Sequence, residues 1–175
     1  HNITPADPLE KETKHGATVS KEHMEKVLSC IELAKSEGGK ILCGGERIIL
    51  DGRCKDGYFI APTLIEGLAN NSRTNQEEIF GPVATIQPFD AEDEAVKLAN
   101  ESEYGLAASI WTQDLEKANR VASALEIGMP WINCWNLRVL NTPFGGFKNS
   151  GHGHREGAPD AMEFFTEKKT ITMPN

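Results

Sequence analysis

The sequence predicts an α/β fold, a mostly parallel sheet flanked by helices, on three observations. Strand-like apolar runs at residues 83–89, 106–111 and 129–134 alternate with two helix-like stretches. That order calls for parallel strands joined by crossover helices. Each helical stretch opens on a residue able to cap it, Asp90 and Asp114. The third observation is size: 175 residues, 39% hydrophobic and 25% charged, suffice for one domain with its own core.

The elements follow in chain order. Residues 1–17 are polar, carry Pro5 and Pro8, and read as an extended arm. Ser20 can cap a helix in which Met24, Val27, Leu28, Ile31 and Ala34 recur at helical spacing, and Gly38-Gly39 ends it. A short strand is expected at residues 40–43, then a polar excursion over residues 46–57. A further strand is expected at residues 58–65, where Pro62 marks an edge or a bulge. In the central run, Ala95, Leu98 and Ala99 give the first helix its apolar face; Leu115, Ala118, Val121, Ala122 and Leu125 serve the second. Gly128 stands where a glycine closing that helix belongs. The last segment opens on Pro143-Phe144-Gly145-Gly146, runs through a glycine-rich loop to Gly157, and predicts a helix at residues 160–165. A strand follows at residues 169–173, where Thr170 and Thr172 alternate with Ile171 and Met173. In sheets of this kind function sits just beyond the carboxyl ends of the strands.

Composition narrows the partners. A net charge of −8 and a pI near 5.2 argue against nucleic acid or an anionic membrane surface, which both require basic patches. No apolar run approaches the roughly 18 residues that span a bilayer. Cys30, Cys43, Cys54 and Cys134 form no CxxC pair and complete no zinc spacing with the histidines, so no metal site is expected. Scattered thiols of this kind fit a reducing, cytoplasmic compartment. The chain opens on His1 instead of methionine, which leaves natural truncation, cleavage and a tag remnant all open.

Three motifs stand in order: Gln76-Glu77-Glu78-Ile79-Phe80-Gly81-Pro82-Val83, Tyr104-Gly105-Leu106-Ala107-Ala108, and Pro143-Phe144-Gly145-Gly146-Phe147-Lys148-Asn149-Ser150-Gly151. Arg155-Glu156-Gly157 and Phe164-Phe165-Thr166-Glu167 follow them. One motif alone is a weak signal, but the ordered set resembles the C-terminal part of the aldehyde dehydrogenases over nearly the whole chain. Within that family, Trp131-Ile132-Asn133-Cys134-Trp135-Asn136-Leu137-Arg138 looks most like the hydroxy- and aminomuconate semialdehyde dehydrogenases.

The resemblance implies an aldehyde dehydrogenase catalytic-domain fold, partial over residues 1–163, with residues 164–175 a C-terminal oligomerisation strand. It implies an NAD(P)-linked oxidation of an aldehyde to a carboxylate by way of a cysteine thioester, with NAD the expected cofactor and NADP an open alternative. The family's nucleophile motif, dinucleotide-binding region and general-base glutamate have no counterpart here, so this piece alone is expected to be inactive. Cys134 is not the expected nucleophile, because the family places a non-nucleophilic residue there.

The same resemblance assigns Glu78 and Phe80 to the cofactor: a carboxylate accepts two ribose hydroxyls and the aromatic packs nearby. It assigns Arg138 to a substrate carboxylate, which a guanidinium fork suits, with Trp135, Asn136 and Phe144 lining the same mouth. Glu156 matches a glutamate on a proton path. The loop before it reads Ser150-Gly151-His152-Gly153-His154-Arg155-Glu156, one residue longer than the usual pattern, which puts the roles of Arg155 and Glu156 in question. The intact enzyme is expected to be a homodimer or homotetramer. The alternative from another class is a non-catalytic structural or interaction protein built on the same fold.

Overall fold

The computed structural model describes residues 3–153 and 155–174. The chain divides into two compact units, one ending at Pro88 and the other beginning at Phe89.

The first unit is built around helix α1 (Lys21–Ser36). The Ser20 side chain accepts the His23 amide at 3.1 Å, as its capping role predicts. At the far end Gly38, with φ of 94°, donates to Lys35 O, and Gly39 donates to Ala34 O. This is the paired closure that a left-handed glycine permits. Met24, Val27, Ile31 and Ala34 are buried on one face. They pack on a three-stranded sheet of β1 (Lys40–Cys43), β4 (Thr63–Glu66) and β5 (Val83–Ile86). Strand β1 runs antiparallel to β4, and β5 runs parallel to it.

The single strand expected over residues 58–65 is two strands, β3 (Phe59–Ile60) and β4. Pro62, with no amide to donate, sits between them. Strand β3 pairs with β2 (Arg47–Ile48) inside the polar excursion. The short helix α2 (Arg73–Gln76) is capped from a distance. The Glu37 carboxylate accepts the Arg73 amide (2.8 Å), the Thr74 amide (3.2 Å) and the Thr74 hydroxyl (2.6 Å).

In the second unit, β7 (Ala107–Ile110) and β8 (Met129–Ile132) pair in parallel across helix α4 (Leu115–Ala124), as the alternating pattern requires. Helix α3 (Glu92–Asn100) precedes them. The run expected as one sheet is divided: β5 bonds to β4, while β7 bonds to β8. Asp114 caps α4 by accepting the Lys117 amide at 3.0 Å. Asp90 does not cap α3; Ala91 holds that position, and the Glu94 carboxylate reaches back to accept the Asp90 amide. Arg120 grips Glu92 with two nitrogens, at 2.6 and 2.8 Å, and ties α4 to α3.

Gly128 does not close α4. Its backbone stands against the glycine pair of the third motif: a Cβ there would lie 1.8 Å from the Gly145 carbonyl oxygen. That motif continues into β9 (Phe147–Lys148), which pairs antiparallel with β6 (Tyr104–Gly105). Lys148 donates to the Asn100 and Ser102 carbonyls and meets Glu126 at 2.7 Å, so its ammonium closes the end of α3. Helix α5 (Ala158–Phe165) follows Gly157. Residues 169–173, where a strand is expected, form none; a strand requires a second one beside it, and no described strand lies there.

Gly128→Ala forces a methyl group into a backbone carbonyl and should destabilise the chain by about 1–3 kcal/mol or more in urea unfolding. Gly16→Ala, whose added Cβ would meet Pro8 at 3.7 Å, should stay within about 0.5 kcal/mol. The Thr74 hydroxyl, with the Arg73 and Thr74 amides, holds the Glu37 carboxyl below the usual carboxylate range. A depressed folded-state pKa stabilises above the unfolded value of about 4.3, and that gain is lost as pH falls through the lower folded value. Glu37→Gln should therefore be less stable than the parent at pH 7, and the gap should close below pH ~4.

Candidate functional site

Two groups of the expected site residues lie in different units. The first is the segment from Glu78 to Gly81, which links α2 to β5. Ile79 packs against the core formed by Met24, Val27, Ile31 and Ile60. Its neighbours Glu78 and Phe80 are exposed, Phe80 to 74%. One inward anchor between two outward residues is an extended pattern, and Phe80 then turns the chain with φ of 57°. A left-handed conformation is costly for a bulky residue and persists only where its surroundings hold it. A carboxylate and an aromatic ring thus stand side by side on one short, seated segment. This pairing suits a ligand that combines hydroxyl donors with a flat ring.

The second group surrounds a cleft of about 390 Å³ beside β8, lined in part by Trp131, Arg138, Phe144 and Glu156. The Arg138 guanidinium lies 4.0 Å from the centre of the Phe144 ring. Stacking of this kind holds the fork by its face and leaves its N–H edges free to bind an anion. Phe144 is itself fixed, because it exchanges two backbone hydrogen bonds with Glu156, at 2.8 and 2.7 Å. Trp131 lines the cleft and donates its indole N–H to the Leu137 carbonyl at 3.0 Å.

Trp135 and Asn136, expected at the same mouth, are not among the residues lining this cleft. Trp135 packs edge-on against Trp131 with ring centres 5.6 Å apart, so it touches the wall from outside. Asn136 turns the chain with φ of 51°. Glu156 meets Phe144 through its backbone, and its side chain is exposed at the cleft. Its neighbour Arg155 has a defined place, donating to the Gly146 carbonyl at 2.7 Å. His154 lies outside the described residues.

The cysteines take structural positions. Cys30 lies within α1, and Cys43 approaches the Pro62 carbonyl at 3.8 Å. Partial burial and the nearby Asp7 carboxylate push the Cys54 thiol up, which makes it a poorer nucleophile. The Cys134 carbonyl accepts the Ser109 hydroxyl. Among the described residues, no three His, Cys, Asp or Glu side chains gather as metal ligands, and no helix is long and apolar enough to cross a membrane.

Sequence reasoning missed Asn133. Its side chain accepts the Thr112 amide at 2.9 Å and donates to the Thr112 carbonyl at 2.8 Å, pinning the exits of β7 and β8 together. Its φ of 53° aims the chain toward the Arg138 loop. An asparagine directly after a strand, the residue type most tolerant of that conformation, was the available signal. His23 and Lys26 were also missed; both reach from α1 to the Glu78–Phe80 backbone.

Comparison with known proteins gives one consistent result. The sequence profile of the aldehyde dehydrogenase family matches residues 1–171. A 2-aminomuconic semialdehyde dehydrogenase from Mus musculus is 48% identical over 97% of this chain and 34% of its own length. A 4-trimethylaminobutyraldehyde dehydrogenase from Danio rerio is 44% identical over 98% of the chain and 34% of its own. Among solved structures, an NAD+ complex of an aldehyde dehydrogenase from Bacillus cereus superposes with a TM-score of 0.88 at 42% identity, covering 95% of this chain and 33% of that one. A betaine aldehyde dehydrogenase from Staphylococcus aureus in complex with NAD+ gives 0.88 at 40% identity, with 93% and 32% covered. The chain spans about a third of the length of the relatives it matches.

Proposed function

We propose a function from one premise: the chain belongs to the aldehyde dehydrogenase family. On this reading it forms part of an NAD(P)-dependent enzyme that oxidises an aldehyde to a carboxylate, with a muconate-type semialdehyde as substrate and NAD as cofactor. The cysteine nucleophile comes from outside this chain, so the chain alone does not turn over. The NAD+ complexes among the related structures support the cofactor assignment.

The observation that carries the substrate class is Arg138 stacked on a backbone-locked Phe144 at the cleft. A semialdehyde with a carboxylate at its far end presents that anion to the free N–H edges of the fork, which orients the aldehyde away from it. A quaternary ammonium substrate, such as the one in the name of the Danio rerio relative, would be repelled at the same place. The identity with the aminomuconic semialdehyde dehydrogenase supports the same choice. Glu78 and Phe80 fit the cofactor chemically, because an exposed carboxylate accepts ribose hydroxyls and the adjoining ring supplies an apolar wall. When bound, the nicotinamide accepts the hydride. What this chain's residues contribute is orientation, and small misplacements of a reacting centre are costly.

In the full-length enzyme, Arg138→Ala should lower kcat/KM for a muconate-type semialdehyde by about tenfold or more, since a hydrogen bond to a charged group contributes about 1.5–3 kcal/mol. A neutral aldehyde of similar length should change less than about threefold. Equal losses for both would make Arg138 structural and remove the substrate assignment.

Assembly belongs to the same reading: the full-length enzyme is a homodimer or homotetramer, and residues 169–173, beyond the end of α5, add to a sheet shared between subunits. Ile171 and Met173, 74% and 80% exposed, offer an apolar strand face in search of cover. Deleting residues 169–175 should lower the assembly state in sedimentation velocity; an unchanged profile would overturn the assignment.

A further inference from the structure

We infer that one face of α1 is a clamp that positions the cofactor-contacting segment, with His23 and Lys26 as its two jaws. The inference rests on the reading of Glu78 and Phe80 as cofactor contacts.

Two carbonyls of that segment, with the Ile79 side chain between them, are held from the same helix face. Lys26 Nζ donates to the Glu78 carbonyl at 3.0 Å, and His23 Nε2 lies 2.7 Å from the Phe80 carbonyl. A carbonyl can only accept, so Nε2 carries the proton in this contact. Between these two bonds Ile79 enters the core beside Val27. Gly81 then lies so close to Val27 that an added Cβ would stand 2.6 Å from its Cγ2. Positions 23, 26 and 27 fall on one face by helical spacing.

The consequence is directional. With the Glu78 and Phe80 carbonyls tied down and the half-buried Ile79 turned to the core, the Glu78 and Phe80 side chains have only the outward side. The left-handed Phe80 would relax if nothing held its carbonyl. His23 also meets the Phe80 ring edge-on, with centres 6.1 Å apart at 74°, and so fixes the ring as well as the backbone. The clamp acts through the backbone and leaves the Glu78 carboxylate and most of the Phe80 ring to a ligand. His23 and Lys26 are therefore positioning residues that touch neither cofactor nor substrate.

The test uses full-length enzyme carrying His23→Ala, Lys26→Met, both together, and Glu78→Gln, with NAD+ binding followed by calorimetry. Each lost hydrogen bond should weaken NAD+ binding about threefold to tenfold, and the double variant more than either. The aldehyde KM should stay within about twofold. Backbone amides at residues 78–81 should exchange faster in the double variant, and His23→Gln, which retains a donor, should recover much of the affinity. A simple loss of α1 stability would move both KM values together and would not be rescued in this way. If Glu78→Gln weakens NAD+ binding while the double variant leaves it and the amide exchange unchanged, the clamp is overturned and the cofactor reading stands. If Glu78→Gln itself binds NAD+ as the parent does, the cofactor reading fails and the clamp's purpose falls with it.

Discussion

The second unit depends on a close approach of two backbones, Gly128 against Gly145. Side chains can rearrange around a crowded contact, but a carbonyl oxygen and an α-carbon cannot, so this contact fixes where the loop after β8 returns. The return places β9 beside β6, and from there Lys148 reaches the end of α3 and Glu126. The Asn100 side chain bonds the Ala124 carbonyl and the Glu126 amide at the end of α4. Two helix ends, an antiparallel strand pair and the cleft wall are thus held by a few polar bonds around one bare glycine. The adjoining glycines obey the same demand: an added Cβ at Gly151 would stand 1.9 Å from the Gly146 carbonyl. The third motif therefore records backbone packing first, and only through that packing does it present Phe144.

What the sequence made legible follows what periodicity and local capping can encode. Helix α1 was readable to its caps, because Ser20, the apolar spacing and Gly38-Gly39 are local signals that agree. The β7–α4–β8 crossover was readable for the same reason. Less legible was everything decided by partners far along the chain. Asp90 has the chemistry of a cap, yet Glu94 four residues on provides the contact with its amide instead. Gly128 looked like a helix stop because glycine serves both purposes; only the tertiary contact distinguishes a left-handed turn from a close approach. Strand pairing over residues 169–173 needs an edge that no local pattern specifies.

The same division applies to the site. Glu78, Phe80 and Phe144 are candidates because they sit inside motifs whose order is informative, and Arg138 because it ends the run over residues 131–138. The residues that hold them carry no such label. Asn133, His23 and Lys26 work through backbone atoms of other segments, and a bond to a carbonyl leaves no trace in the sequence of the residue it holds. The sequence placed Trp135 and Asn136 at the mouth with Arg138 because they adjoin it in the chain. After a left-handed turn at Asn133 and another at Asn136, neighbours in sequence face different ways.

Arg138 illustrates how the surroundings set the value of a charge. An exposed arginine facing water contributes little to binding, because its own hydration competes with any anion. Stacking on Phe144 alters that balance in two ways. It removes water from one face of the guanidinium, and it reduces the rotamer freedom that binding would otherwise have to remove. Phe144 can serve as this platform only while its backbone is held, and the backbone bonds to Glu156 hold it. Arg155, next to that partner, anchors to the Gly146 carbonyl and lies over the Phe147 ring at 5.2 Å, which holds the start of the bridge. The orientation of the Arg138 fork thus depends on a backbone bridge that contains no charge at all.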